Sequence, residues 1–149
     1  MNLLKSFYYA LCGIGYCVKH ETNFRIHIIA MITVIIFSCI YDVPPYEKAI
    51  LTILISLVMV AELVNTSIEA MVNKISPEKC ESARIAKDTS AGAVLVFALG
   101  AVICAIFLFS DTKKWIENVI PVVCTYWYLA LIYVILSWLF IFKCGAKKK

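Results

Sequence analysis

The sequence predicts an all-α integral membrane protein: four transmembrane helices, preceded by an amphipathic helix on the membrane surface. Three observations carry that reading. Hydrophobic residues make up 62% of the 149 and charged residues 16%, against roughly 45–50% and 25% in soluble domains. A chain of one domain's length with a mean hydropathy of +0.88 holds more apolar surface than one core can bury, so some must face lipid. The apolar residues fall in four runs, and Lys and Arg gather in alternate connections between them. These properties argue against a soluble enzyme, a nucleic-acid binder and a disordered tail, and the net charge of +4 is modest.

The first element covers residues 3–18, apolar and aromatic with a thin polar side formed by Lys5, Tyr9, Gly13 and Tyr16, as in a helix lying on a membrane. The first apolar run, 26–41, is short for a span and requires Phe24 to count and Arg25 to snorkel towards the headgroups. Asp42-Val43-Pro44-Pro45 breaks the helix. The runs 49–72, 89–110 and 119–142 are each long enough for about 30 Å of hydrocarbon. Pro121 sits in the first turn of the last, where proline is tolerated.

Eleven of the fourteen Lys and Arg lie in the N-terminal stretch, in the 73–88 loop and in the basic tail 143–149. Only Lys48, Lys113 and Lys114 lie in the other links. That asymmetry places both termini and the 73–88 loop in the cytoplasm. No cleavable signal is expected, because Lys5, Lys19, Glu21 and Arg25 interrupt the apolar stretch. The seven cysteines form no CxxC pair, and neither His20 nor His27 stands at metal-ligand spacing from them. They read as small apolar residues of a reducing compartment.

The second span carries Glu62, Asn65, Thr66, Glu69 and Asn73, which at about 100° per residue share one arc of about 100°. An acidic side chain at bilayer depth costs about 2.5–3.5 kcal/mol on insertion scales, so two on one stripe require a polar cavity. A structural seam between helices would also produce such a stripe, but a functional site is the favoured reading. Glu69 lies near the cytoplasmic end of the span, whereas Glu62 lies about 15 Å from that end at 1.5 Å per residue. Antiparallel pairing of the second and third spans brings Lys87 and Asp88 level with Glu69, and Glu21 reaches the same level from before the first span. Ser90, Ala91, Gly92 and Ala93 are small enough for close backbone approach. Hard oxygen ligands suit Mg²⁺, a lysine suits phosphate, and a deeper carboxylate suits a hydroxyl, which are the parts phosphoryl transfer needs. No P-loop or soluble-kinase motif is present.

The segments Ala61-Glu62-Leu63-Val64-Asn65-Thr66-Ser67-Ile68-Glu69-Ala70, Ala86-Lys87-Asp88 and Ala91-Gly92-Ala93-Val94-Leu95 resemble the signature of the small bacterial diacylglycerol kinase family. Ser6-Phe7-x-Tyr9-Ala10-x-x-Gly13 and Glu21-x-Asn23-Phe24-Arg25-Ile26-His27 look most like its Gram-positive branch, which phosphorylates undecaprenol. The resemblance covers roughly residues 3–110 and implies a membrane lipid kinase domain over 1–110, acting in the bacterial plasma membrane. It implies a homotrimer of three-span subunits with active sites between subunits. It further implies Glu62 as general base, Glu21 and Glu69 as carboxylates for ATP-bound Mg²⁺, and Asn65 as an orienting group. Lys87 and Asp88 would contact the nucleotide, with Tyr9, Glu78, Lys79 and Cys80 where the family touches it. The expected activity is phosphorylation of undecaprenol, with diacylglycerol as the alternative lipid; a non-catalytic scaffold or channel subunit is the alternative of another class. Three departures stand out. Asn73 replaces a common Asp, Cys80 replaces a common His, and the segment 119–142 has no counterpart in short family members. That segment carries no charged residue and no phosphatase-like motif.

Overall fold

The computed structural model describes residues 2–76, 80–143 and 145, and the described residues are almost wholly helical. Helix α1 (Leu3–His20) ends at Glu21, whose extended backbone (φ −107°, ψ 116°) both closes α1 and opens α2 (Thr22–Ile40). Because α2 starts at Thr22 rather than Ile26, it is 19 residues long, about 28 Å at 1.5 Å per residue, enough to cross a bilayer core. Arg25 does not snorkel, contrary to the expectation from the short run. It is 4% exposed, held among backbone carbonyls in the corner between helices.

Tyr41 and Asp42 terminate α2, Asp42 in the left-handed region at φ 57°, a conformation Asp tolerates better than most residues. Pro45 then occupies the first turn of α3 (Pro45–Ile75), where its missing N–H costs nothing. At 31 residues, α3 is about 46 Å long and outruns the bilayer core, so the polar residues of its last turns stand clear of the deepest hydrocarbon. Helix α4 (Glu81–Leu108) begins on Cys80, whose sulfur accepts the Ala83 N–H as a cap. It returns antiparallel to α3, and these two form the most extensive helix pair in the molecule. The first three membrane helices, α2, α3 and α4, are each long and apolar enough to span.

The fourth apolar segment differs from the single helix expected over 119–142. A short helix α5 (Thr112–Lys114), a π-helical turn (Trp115–Val119) and helix α6 (Ile120–Thr125) precede α7 (Trp127–Lys143), with a bend of 78° at Tyr126. Pro121 sits in the first turn of α6 as anticipated. The break comes later, after Val122, Val123 and Thr125, β-branched residues that resist helix. The Tyr126 carbonyl restarts the ladder by accepting from Leu129 and Ala130. Tyr126, Trp127 and Tyr128 are all exposed at the bend, a trio of the kind that anchors at a membrane interface. Hydropathy averages over such a break, because nearly all the residues flanking it are apolar.

Helix α7 runs antiparallel along α2. The Tyr133 hydroxyl bonds Thr33 Oγ1 at 2.7 Å and donates to the Ile29 carbonyl at 3.1 Å. At the far end of the bundle, away from α1, Tyr41, Val43, Leu51 and Val119 form a buried cluster. Phe37, Phe109 and Trp115 surround Tyr41 with ring centroids 5.1–6.0 Å from it. Its hydroxyl donates to the Asp111 carbonyl at 2.9 Å. This cluster joins the 111–119 segment to α2 and α3 and leaves the opposite end free to carry polar chemistry.

Candidate active site

The α1 end of the bundle gathers the polar stripe of α3, the start of α4 and the α1–α2 corner. Glu62 is the most deeply placed of the acidic residues, 2% exposed. Its backbone carbonyl accepts the Thr66 hydroxyl at 3.0 Å. Its Oε2 is buried without a hydrogen-bond partner among the described residues. An orphaned carboxylate oxygen in such a place is costly unless something arrives to use it.

One turn along α3, Asn65 is 7% exposed and bonded at both its amide oxygen and its amide nitrogen. Its Oδ1 accepts the Ser90 hydroxyl of α4 at 2.7 Å, and its Nδ2 donates to Glu69 Oε1 at 3.3 Å. The two partners fix which way the amide faces, since only the oxygen can accept and only the nitrogen can donate. A relay therefore runs Ser90–Asn65–Glu69 and holds the Glu69 carboxylate from the neighbouring helix. Closer to the loop, Lys87 Nζ donates to Asn73 Oδ1. Because Asn73 is neutral, the ammonium is positioned without being neutralised.

The α1–α2 corner closes the site from the side. Cys17 is 3% exposed and its thiol faces Thr66. Burial pushes that thiol up, against a lowering by the Thr66 hydroxyl, and the charges of Glu21 and Glu62 push it further. Glu21 and Glu69 both act electrostatically on Glu62. The described residues hold no cluster of three or more acidic, His or Cys ligands. Two carboxylates nevertheless suit Mg²⁺, which keeps waters and takes substrate phosphates as its other ligands.

The remaining expected residues divide. Asp88 lies on the exposed side of α4, paired with Arg84 at 3.3 Å, and Arg84 also reaches Glu81 at 3.8 Å. Tyr9 is two turns before Cys17 on α1, 62% exposed and edge-on to Tyr8. Cys80 spends its sulfur on the α4 cap and on Ser76 Oγ at 3.3 Å. The Ser76 hydroxyl, and after it the Ala83 N–H, hold that thiol below its ordinary range. Glu78 and Lys79 lie outside the described residues. Sequence reasoning missed Ser90 as a bonding partner, treating it only as a small residue, and missed Cys17. The signal for Ser90 was the depth match with Asn65 across an antiparallel hairpin.

Residues 8–109 match the family described as prokaryotic diacylglycerol kinase. The chain belongs to that family. It is 41% identical over 103 residues to a diacylglycerol kinase of Synechocystis, a match covering 68% of this chain and 59% of that protein. It is 36% identical over 108 residues to the undecaprenol kinase of Bacillus subtilis, covering 72% of this chain and 88% of that one. With the diacylglycerol kinase of Escherichia coli it shares 32% over 102 residues, covering 68% and 84%. The matched part thus spans about three fifths of the Synechocystis protein's length. Family and helices together make this a bacterial membrane protein and, by family, a lipid kinase. The family match ends at Phe109, so α5, α6 and α7 lie beyond it.

Proposed function

We propose that this lipid kinase transfers the γ-phosphoryl group of ATP to the hydroxyl of undecaprenol, giving undecaprenyl phosphate. The observation that carries the reading is Glu62, a buried carboxylate with an unpartnered oxygen set below the polar mouth of α3. A lipid hydroxyl entering from the flank would donate to Oε2, and its proton would pass there as the oxygen attacks the γ-phosphorus and the bond to the β-phosphate breaks, releasing ADP. Glu21 and Glu69 are the carboxylates that would hold an ATP-bound Mg²⁺, the latter aimed by Asn65. The ion would supply charge neutralisation at the β- and γ-phosphates. Lys87, held by Asn73, meets the same phosphates as a point charge. Asp88, Tyr9, Cys80 and the Glu78–Lys79 segment complete the nucleotide side, and for Asp88 this requires release from Arg84.

The choice of undecaprenol rests on the residues of α1 and the α1–α2 corner, which look most like the Gram-positive branch. The name of the Synechocystis relative favours diacylglycerol as the second reading. In the proposed assembly three copies share sites at their contacts, with the 73–88 loop and both termini cytoplasmic, as the Lys and Arg distribution supports. The test is transfer from labelled ATP by the purified protein in mixed micelles, with undecaprenol and diacylglycerol side by side and with or without Mg²⁺. Mg²⁺-dependent labelling of undecaprenol in preference supports the proposal. Preference for diacylglycerol selects the second reading, and labelling of neither lipid by folded protein removes both.

A further inference from the structure

The C-terminal helix lies outside the family match, yet it meets the candidate site at one residue. Arg25 projects from the first turn of α2 into the corner between α1, α2 and α7. Its Nε donates to the Ile141 carbonyl at 2.8 Å, in the last turn of α7. Its Nη1 donates to the carbonyls of Val18 at 2.9 Å and Lys19 at 3.4 Å, in the last turn of α1. Its Nη2 donates to Thr22 Oγ1 at 3.0 Å. The last carbonyls of a helix have no partner within it and carry the negative end of its dipole. One planar guanidinium, with donors fixed in a fork, therefore caps two helices at once.

Gly145 adds an independent constraint. A Cβ at that position would fall 2.7 Å from Arg25 Nη2 and 3.0 Å from Cζ. Gly145 thus lies directly against the guanidinium, and a side chain there would displace it. Four residues before Arg25 stands Glu21, the hinge between α1 and α2, whose carbonyl accepts the Arg25 N–H at 3.4 Å. On the last turn of α1, Cys17 seats that helix against Thr66, one turn from Glu62.

From this arrangement we infer that α7 is a positioning element for the kinase site: through Arg25 it locks the α1–α2 corner and so fixes where Glu21 stands. Arg25 and α7 supply none of the side chains assigned above to the nucleotide or to the lipid hydroxyl. They act by holding a carboxylate in place, so loosening them weakens the hold on MgATP more than it slows the chemical step. The geometry stands by itself, whereas the consequence for MgATP rests on the kinase reading, and two separate readouts keep the two apart.

The first readout needs no activity. Alkylation of Cys17 by a maleimide, located by mass spectrometry, reports opening of the corner. Cys12, exposed on the same helix, serves as internal reference. In the full chain, Gly145→Leu, which drives a side chain into the guanidinium, raises Cys17 labelling over that reference, and Arg25→Lys does the same, as local opening of the corner exposes the thiol. The second readout is kinetic. Both variants raise KM for MgATP about tenfold, as loss of a supporting partner does at metal sites, while kcat and KM for the lipid stay near those of the parent. Adding Gly145→Leu to Arg25→Lys changes nothing further, since the lock is already open. Unchanged Cys17 labelling and unchanged KM for MgATP in Gly145→Leu would overturn the inference, as would a parallel fall of every parameter together with thermal stability. Absence of phosphotransfer by the parent chain, with Cys17 still released by Gly145→Leu, would instead strike the kinase reading and leave the lock standing.

Discussion

Replacing Ser90 with alanine tests the relay that aims Glu69. The substitution deletes a single hydroxyl, whose one proton is shared between Asn65 Oδ1 at 2.7 Å and, within its own helix, the Lys87 carbonyl at 2.9 Å. Losing the second bond leaves little unsatisfied, since a helical carbonyl keeps its backbone donor. Losing the first leaves Asn65 Oδ1 unpaired at a residue 7% exposed. Interhelical hydrogen bonds in membranes contribute about 0.6 kcal/mol on average and about 1.7 at most. An orphaned buried acceptor costs about 1–3 kcal/mol, so the upper part of the membrane range is the better guide here. At 1.4 kcal/mol per factor of ten, 0.6–1.7 kcal/mol corresponds to a loss of about threefold to about twentyfold in kcat/KM. The loss should fall on the MgATP side, because Asn65 freed from Ser90 no longer holds Nδ2 against Glu69. The assay is initial-rate phosphotransfer across a Mg²⁺ titration at fixed ATP, with Ser90→Thr as the variant that keeps the hydroxyl. Ser90→Ala should need more Mg²⁺ for half-maximal rate, and Ser90→Thr should recover most of the difference. A Ser90→Ala protein with the parent's Mg²⁺ response and kcat/KM would refute the relay.

Glu62→Gln keeps the shape of the side chain but cannot take a proton; the expected loss in kcat is about 10²–10⁴, the usual contribution of a general base, with ATP binding by equilibrium dialysis unchanged. Lys87→Met removes the ammonium beside Asn73 and should raise KM for ATP at least several-fold while leaving the lipid KM alone, measured by varying each substrate in turn. Asn73→Asp gives Lys87 a charged partner and should also raise KM for ATP, because part of the ammonium's charge is then spent inside the protein. Cys80, held below its ordinary range by the Ser76 hydroxyl and the Ala83 N–H, carries more thiolate than an unperturbed thiol as pH rises towards its pKa. It should therefore alkylate faster than Cys17, whose thiol burial pushes up, with the ratio greatest where the pH lies below both thiols' pKa values. Ser76→Ala should narrow that ratio by shifting the Cys80 rate profile to higher pH.

The helices and the polar stripe were legible in the chain because both are local. Hydropathy over some twenty residues decides whether a segment prefers lipid, and the helical period decides that Glu62, Asn65, Thr66, Glu69 and Asn73 share a face. Charge in the connections then orders the sides. Those same properties led to one helix over 119–142, since an average over apolar residues does not register the break at Tyr126. They also assigned Arg25 to the headgroups, because a lone arginine beside a short apolar run has no other local use. Only the tertiary structure brought the Ile141 carbonyl to Arg25 from 116 residues away, Ser90 to Asn65 across the hairpin, and Asn73 to Lys87. The physical reason is the same in each case. A hydrogen bond is decided within a few tenths of an ångström and needs its partner's position as well as its own. Periodicity sets which way a side chain leaves its helix, whereas packing between helices sets what waits there to receive it.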